Sequence, residues 1–339
     1  MTCMEHEDLA SLGWDLRLQA QADLTANGWT PARVVRSDGA HAVVLGAAGR
    51  RTVPGHGLVV GDWVLLDGDR VRPLERRSAL ARKAAGTRSD EQVLAANVDV
   101  VVVLEPLDVS PNLRRIERML TLAWSSGGVP VVVLTKSDLV DADQVREVQA
   151  VARGVEVIAL SAVTGDGVDG LRDIMNRTST FVLLGPSGAG KSTLVNTLAG
   201  EQLLAVGEVR TDGRGRHTTT HRELVPVPGV GLLIDTPGIR AVGMTADLDG
   251  VDRSFDDVVA LAADCRYVDC SHRGDPGCAV REAVDRGALD ERRLENYQRL
   301  QREVAHQATR RKAHDRDEER RDTKGRRMAK RTVMRAKGR

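Results

Sequence analysis

Eight consecutive residues, Gly185-Pro186-Ser187-Gly188-Ala189-Gly190-Lys191-Ser192, constrain the fold of this chain more than any other feature. They fit G-x-x-x-x-G-K-[ST] at every fixed position, follow the apolar run Phe181-Val182-Leu183-Leu184, and lead into a stretch from Thr193 to Ala199 that reads as the start of a helix. Strand, glycine loop and helix in that order make a phosphate cradle. The glycines let successive backbone N–H groups turn inward without Cβ clashes, and the helix adds the positive end of its dipole. Lys191 is expected to reach the β- and γ-phosphates and Ser192 to ligate magnesium, with the whole stretch Gly185 to Thr193 lining the nucleotide.

The runs before this loop alternate between β and α character. Val98 to Leu104 is a continuous β-branched apolar run, and Asn112 to Ser125 repeats apolar residues at helical spacing (Leu113, Ile116, Met119, Leu120, Ala123). Val129 to Leu134 is a second buried strand; a helix over Asp143 to Arg153, a strand over Val155 to Leu160 and a helix over Val168 to Arg177 follow. This alternation predicts an α/β fold, a doubly wound sheet whose ligand lies beyond the carboxyl ends of its strands. The other motifs fall there. Thr135-Lys136-Ser137-Asp138 resembles the guanine-reading motif [NT]-K-x-D, with Thr where Asn is commoner. The Asp138 carboxylate would accept from guanine N1–H and the exocyclic amine while the Lys136 stem packs on the base; adenine lacks that donor pair. Ser161-Ala162, at the end of the next strand, resembles the short S-A motif whose backbone also meets guanine. Downstream, Leu232-Leu233-Ile234 runs into Asp235-Thr236-Pro237-Gly238, a D-x-x-G motif in which Asp235 holds magnesium through water and the Gly238 N–H senses the γ-phosphate. Between them lies Gly213-Arg214-Gly215-Arg216-His217-Thr218-Thr219-Thr220. Thr219, with Thr218 second, is expected to close on magnesium and γ-phosphate, although a threonine triplet also suits a β-edge.

Motif order narrows the architecture. Most GTPases begin with the phosphate loop and end with the guanine motifs, whereas here T-K-S-D and S-A precede the loop and D-T-P-G closes the series. The chain reads as a circularly permuted GTPase, because the nucleotide depends only on where the loops lie in space. Permutation joins the second switch directly to the next module, so nucleotide state can pull on it. That module carries Cys265-x4-Cys270-x-His272-x5-Cys278, and three thiolates with one imidazole satisfy a tetrahedral Zn²⁺ with no spare position, a structural site. A redox disulfide is the alternative, disfavoured in a reducing compartment.

Ahead of the α/β region, from Gly28, short β runs are separated by turn residues: 32–36, 41–45, 51–53, 63–66 and 70–72. Their spacing predicts a small barrel of the oligonucleotide-binding (OB) type, and an SH3-like barrel would leave much the same trace. Arg72, Arg76, Arg77, Arg82, Lys83 and Arg88 then form a basic seam that is either an RNA phosphate contact or a solvated linker. With two Phe, two Tyr and four Trp in 339 residues, RNA contact would be mainly electrostatic. The five regions expected are an N-terminal arm (1–27), either a short helix or loosely held, the barrel (28–80), the GTPase domain (81–245), a mainly helical zinc module (246–305) and a basic tail (306–339).

The net charge of +1 hides an uneven distribution, since residues 306–339 hold 14 Lys and Arg against 5 Asp and Glu. Such a tail is a solvated end or a nucleic-acid contact. At 41% hydrophobic and 29% charged residues, with no apolar run long enough to cross a bilayer, the composition is that of a soluble globular protein. Glu5, Glu7 and Asp8 stand where a signal peptide would be basic and then apolar, so the cytoplasm is the expected location.

Permuted motifs, preceding barrel and cysteine module together resemble the ribosome small subunit-dependent GTPase A family over about Gly28 to Leu300. GPSGAGKS, GRHTTT, DTPG and the cysteine module stand in that family's order, and Arg76-Arg77-Ser78 with Arg82-Lys83 is similar to its barrel junction. The resemblance implies an enzyme that binds the small (30S) ribosomal subunit and its rRNA late in assembly, hydrolyses GTP to GDP in response, and leaves. A monomer away from membranes is expected. The position where Ras-like enzymes carry a water-orienting Gln is Ile239, so intrinsic hydrolysis should be slow; His217 is the candidate for positioning water, or else a structural or rRNA-facing side chain. The other readings are a regulatory GTPase for a protein partner or membrane, and a nucleotide-dependent RNA chaperone with negligible turnover.

Overall fold

In the computed structural model the described residues are 8–23, 28–83, 91–140, 142–175, 179–205, 222–235 and 245–310. His217, Thr218, Thr219, Gly238, Ile239 and residues 311–339 lie outside them.

The short β runs after the arm helix α1 (Leu16–Asp23) form β1 (Thr30–Ser37), β2 (His41–Gly46), β3 (Gly49–Pro54), β4 (Trp63–Asp67) and β5 (Arg70–Pro73). They pair antiparallel in the order β3-β2-β1-β4-β5 around Ala32, Val34, Ala42, Val44, Val53, Leu58 and Val64. Beyond a bulge at Val34/Arg36, β1 pairs with a strand of the next domain, Arg36 opposite Glu223. The alternative of a short arm helix is the one the structure takes. Leu12 and Leu18 are buried, and Trp14 meets Trp63 edge-on at 4.9 Å between centroids. Beneath them the fully buried Arg33 guanidinium donates to Leu12 O, to Thr180 Oγ1 at 2.7 Å and to Asn97 O at 3.4 Å. Burial lowers its pKa to about 10. Two arginines of the basic seam are also committed internally: Arg76 forks onto buried Asp62 with two contacts of 2.7 Å, and Arg77 pairs with Asp15 and Asp99. The hairpin β6 (Ala79–Lys83) and β7 (Glu91–Ala96) follows, so the boundary expected at residue 80 falls inside β6.

Apolar, largely β-branched runs form the parallel strands of the α/β region. They are β8 (Val100–Pro106), β9 (Val129–Thr135), β10 (Glu156–Ala159) and β11 (Thr180–Leu184), with β12 (Arg222–Val227) and β13 (Gly231–Asp235) completing the sheet. The order is β10-β9-β8-β11-β13-β12, parallel except for β12, and every residue of β8 is buried. Between the strands run α2 (Leu113–Ser126), α3 (Ala142–Val151), α4 (Val168–Ile174) and α5 (Lys191–Ala199). The chain runs β8, β9, β10 outward and then returns to β11 on the other side of β8. This reversal leaves a crevice at the carboxyl ends of β8 and β11.

The C-terminal module consists of α6 (Leu248–Ser254), α7 (Asp256–Ala262), α8 (Ala279–Asp285) and α9 (residues 291–310) around Val251, Phe255, Val258, Val280, Leu294, Tyr297 and Leu300. It docks on α2. Gly250 lies so close that a Cβ there would stand 2.6 Å from Thr121 O, and Ser125 Oγ and Asp247 exchange hydrogen bonds of 2.9 and 3.0 Å. Deeper in, the fully buried Glu117 carboxylate accepts from Arg293 Nη1 at 3.0 Å, Arg292 Nη1 at 3.1 Å and Asn296 Nδ2, while Arg293 also forks onto Asp257. Removing one member of a buried ion network strands the others. Glu117→Ala should therefore destabilise the protein by about 3–5 kcal/mol in urea unfolding. At the rim, hydrogen bonding to Arg118 holds the Glu303 carboxyl below its usual pKa. Its contribution is complete above the unfolded-state value of about 4.3 and disappears as pH falls through the lower folded value. Thermal melting between pH 5 and 3 should show this acid loss in the wild type, and less of it in Glu303→Gln.

Candidate nucleotide site and metal centre

The phosphate loop leaves β11 at the crevice, where Gly185 packs on the neighbouring strand: a Cβ would stand 2.8 Å from Leu104 O. Gly188 and Gly190 adopt φ of 80° and 81°, the left-handed region that glycine enters freely. α5 starts at Lys191, two residues before the sequence places it, and buries Leu194, Val195 and Leu198 against the sheet. Its N-terminal end thus faces the loop. Pro186 is half-buried, Ser187 and Gly188 are exposed, Ala189 is buried, and Ser192 and Thr193 are half-buried at the helix start. Lys191 Nζ donates to the carbonyls of Gly185 at 3.0 Å and Pro186 at 2.7 Å, which draws the ammonium over the loop.

Thr135 joins this loop to the T-K-S-D motif. Its buried hydroxyl donates to Ala189 O at 2.9 Å, so the first motif position needs a short side-chain donor, which Thr supplies as Asn would. Lys136 follows with left-handed backbone (φ 60°, ψ 38°), and its ammonium pairs with Asp108. Asp138, on a 3₁₀ turn over Ser137–Leu139, is exposed, and its carboxylate has no protein partner among the described residues. Ser161 is buried and its Oγ accepts from Val163 N and Thr164 N, both at 3.2 Å; this shapes the turn that presents half-buried Ala162. The Ser137 N–H bonds Leu160 O at 3.2 Å and ties the two motifs together.

On the other side of the phosphate loop, Asp235 ends β13 directly opposite Glu223 of β12. Burial, and then the neighbouring Glu223 charge, raise the pKa of its carboxyl. Two neighbouring carboxylates favour a cation, so the residues at the end of β13 suit a divalent ion. Four strand ends therefore bring Thr135, Lys136, Asp138, Ser161, Ala162, Gly185 to Thr193 and Asp235 to one edge of the sheet. Sequence reasoning missed Asp108, since its only signal is an acid on the loop after β8, 28 residues from its lysine.

In the C-terminal module the ligand atoms of Cys265, Cys270, His272 and Cys278 lie within 4.8 Å of one another. His272 Nδ1 stands 3.6 Å from Cys265 Sγ and 3.5 Å from Cys278 Sγ, and these two sulfurs are 4.0 Å apart. Zinc bonds of about 2.3 Å to sulfur and 2.0 Å to nitrogen in a tetrahedron require edges of roughly 3.5 and 3.8 Å, so the cluster fits the ion. Burial lowers the His272 pKa and favours the neutral ring that a metal needs. The backbone supports the set: Cys278 Sγ caps α8 by accepting from Arg281 N at 3.4 Å, and Gln298 Nε2 of α9 holds His272 O at 3.0 Å.

Residues 73–245 match the family described as RsgA GTPase. The chain belongs to that family. A small ribosomal subunit biogenesis GTPase RsgA of Streptomyces coelicolor is 44% identical, over 98% of this chain and 96% of its own length. Its namesake in Xanthomonas axonopodis pv. citri is 49% identical over 73% of this chain and 69% of its own. Among solved structures, YjeQ from Thermotoga maritima superposes with a TM-score of 0.62 at 25% identity, covering 82% of this chain and 99% of that one. YloQ, described as a circularly permuted GTPase, has the same fold, with a TM-score of 0.57 at 23% identity over 82% and 96% of the two chains. The inverted motif order is thus a property of the family's fold. Stripping zinc with a chelator should melt the helical module, since such a site supplies on the order of 10 kcal/mol. One zinc per chain and a lowered melting temperature in Cys270→Ser are the expected results, from metal analysis and calorimetry.

Proposed function

We propose that this chain binds GTP at the crevice between β8 and β11, hydrolyses it to GDP and phosphate when stimulated by the small ribosomal subunit, and acts in the late maturation of that subunit. The observation that carries this is the Thr135–Ala189 hydrogen bond, which makes the guanine motif and the phosphate loop one site. Support for the ribosomal role comes from relatives named for small ribosomal subunit biogenesis.

In this reading Asp138 accepts from the guanine edge, Lys136 packs on the base, and the backbone of Ser161-Ala162 closes the base pocket. The loop from Gly185 to Lys191 holds the phosphates, and Ser192, Thr219 and Asp235 hold magnesium, which supplies charge neutralisation at the β- and γ-phosphates when bound. Gly238 senses the γ-phosphate and His217 orients water, the role Ile239 cannot fill. The barrel, of OB type, and the tail over 306–339 contact rRNA through charge; Cys265, Cys270, His272 and Cys278 keep one structural zinc. The protein works as a cytoplasmic monomer. Among the described residues no helix is long and apolar enough to cross a membrane.

The test is GTP turnover with and without purified small subunits. Slow intrinsic hydrolysis should rise at least about 100-fold with subunits, the scale of one positioned group. Co-sedimentation should be strong with a non-hydrolysable GTP analogue and weak with GDP. Subunits that neither bind nor stimulate would sink the proposal, and an unchanged stimulated rate in His217→Ala would remove His217 from it.

A further inference from the structure

The pair between Lys136 and Asp108 belongs to none of the sequence motifs. Lys136 is one of three non-glycine residues with positive φ among those described. Its backbone is clamped: Leu107 N donates to Thr135 O at 3.0 Å, Ser137 N to Leu160 O at 3.2 Å, and Leu139 N to Lys136 O at 3.1 Å. A clamped backbone still leaves a four-carbon stem free to rotate, and that freedom opposes any ligand packing along it. Asp108 supplies the missing restraint.

The acid is itself held in place. The loop that carries it is pinned at one end by the Leu107–Thr135 bond and at the other by Asn112 N donating to Glu105 Oε1 at 2.8 Å. Because β8 lies between β9 and β11, this loop stands between the guanine motif and the phosphate loop. The two side chains are 35% and 40% exposed, so the pair adds little to the stability of the fold. Its effect falls on where the lysine stem lies.

We infer that Asp108 is a positioning residue for the nucleotide, holding the Lys136 stem ready for the guanine base before the base arrives. The inference rests on the guanine reading of the site. Asp108 acts through the base-binding motif and not through the phosphate loop, so GTP and GDP are affected alike and the chemical step is not.

Asp108→Asn removes the charge at constant shape. Titration with fluorescent GDP and a non-hydrolysable GTP analogue should show Kd raised about 3- to 5-fold for both nucleotides. KM for GTP should rise by the same factor with kcat at saturation held, and Asp108→Glu should restore both. In a Lys136→Ala background the substitution should change nothing further, and about 1 M salt should narrow the gap between Asp108→Asn and wild type. Unchanged Kd, an effect that persists without Lys136, a fall in kcat at constant KM, or a lowered melting temperature that Asp108→Glu does not restore would each overturn the inference. Asp138→Asn separates the two readings. If it leaves GDP binding intact, the guanine reading fails and takes this one with it; if it weakens GDP while Asp108→Asn does not, only the role of Asp108 fails.

Discussion

The buried carboxylate of Glu117 sets the relation between the GTPase sheet and the C-terminal helical module. It lies on α2, the helix between the two strands that start the GTPase sheet, and its partners Arg292, Arg293 and Asn296 lie on α9 of the zinc-binding module. Desolvating a carboxylate is costly, and it is offset here by charge-assisted bonds that have one geometry. An apolar helix pair can slip a turn at small cost, but a guanidinium fork from Arg292 and single bonds from Arg293 and Asn296 on one carboxylate cannot be remade a turn away. A second buried acid, Glu105, fixes the N-terminal end of the same helix through Arg115 and the backbone of Asn112. The zinc module is therefore registered on α2, and α2 on the end of β8 that borders the nucleotide crevice.

That registration bears on how the second switch can act. The permuted order suggests a nucleotide-driven pull on whatever follows D-T-P-G. In the structure the chain downstream is fastened before the zinc ligands begin, by Thr245 N on Ala81 O and by Asp247 on Ser125. A pull starting at Asp235 would meet the anchor at Thr245, and so β6 and α2, before Cys265.

What the amino-acid sequence makes legible is what depends on near neighbours. The phosphate loop, the T-K-S-D turn and the zinc spacing are local constraints of backbone and coordination, and the β-branched runs mark strands buried on both faces. Boundaries moved by one or two residues at most places. The rest depends on distant partners. Glu117 reads as a solvated helix position until Arg293 arrives 176 residues later. Arg76 and Arg77 read as part of either a phosphate contact or a solvated linker, yet are held by Asp62, Asp15 and Asp99. The arm had too few apolar residues to announce burial, which Trp63 and Arg33 impose from beneath.

Arg33 also carries a consequence for how the molecule is made. A chain leaves its ribosome N-terminus first, and domains tend to fold in that order. The barrel strand β1 bears a guanidinium whose hydroxyl acceptor, Thr180, lies 147 residues downstream, at the start of the strand that feeds the phosphate loop. The end of β1 likewise waits for β12. A nascent chain that already displays Thr135 to Asp138 has half a nucleotide site and a buried guanidinium answered by the carbonyls of Leu12 and Asn97 but not yet by Thr180. Emergence of β11 brings the hydroxyl acceptor of Arg33 and the phosphate loop together, so the permuted gene order ties closure of the N-terminal barrel to the strand that carries the phosphate loop, while the end of β1 and Asp235 wait for β12 and β13.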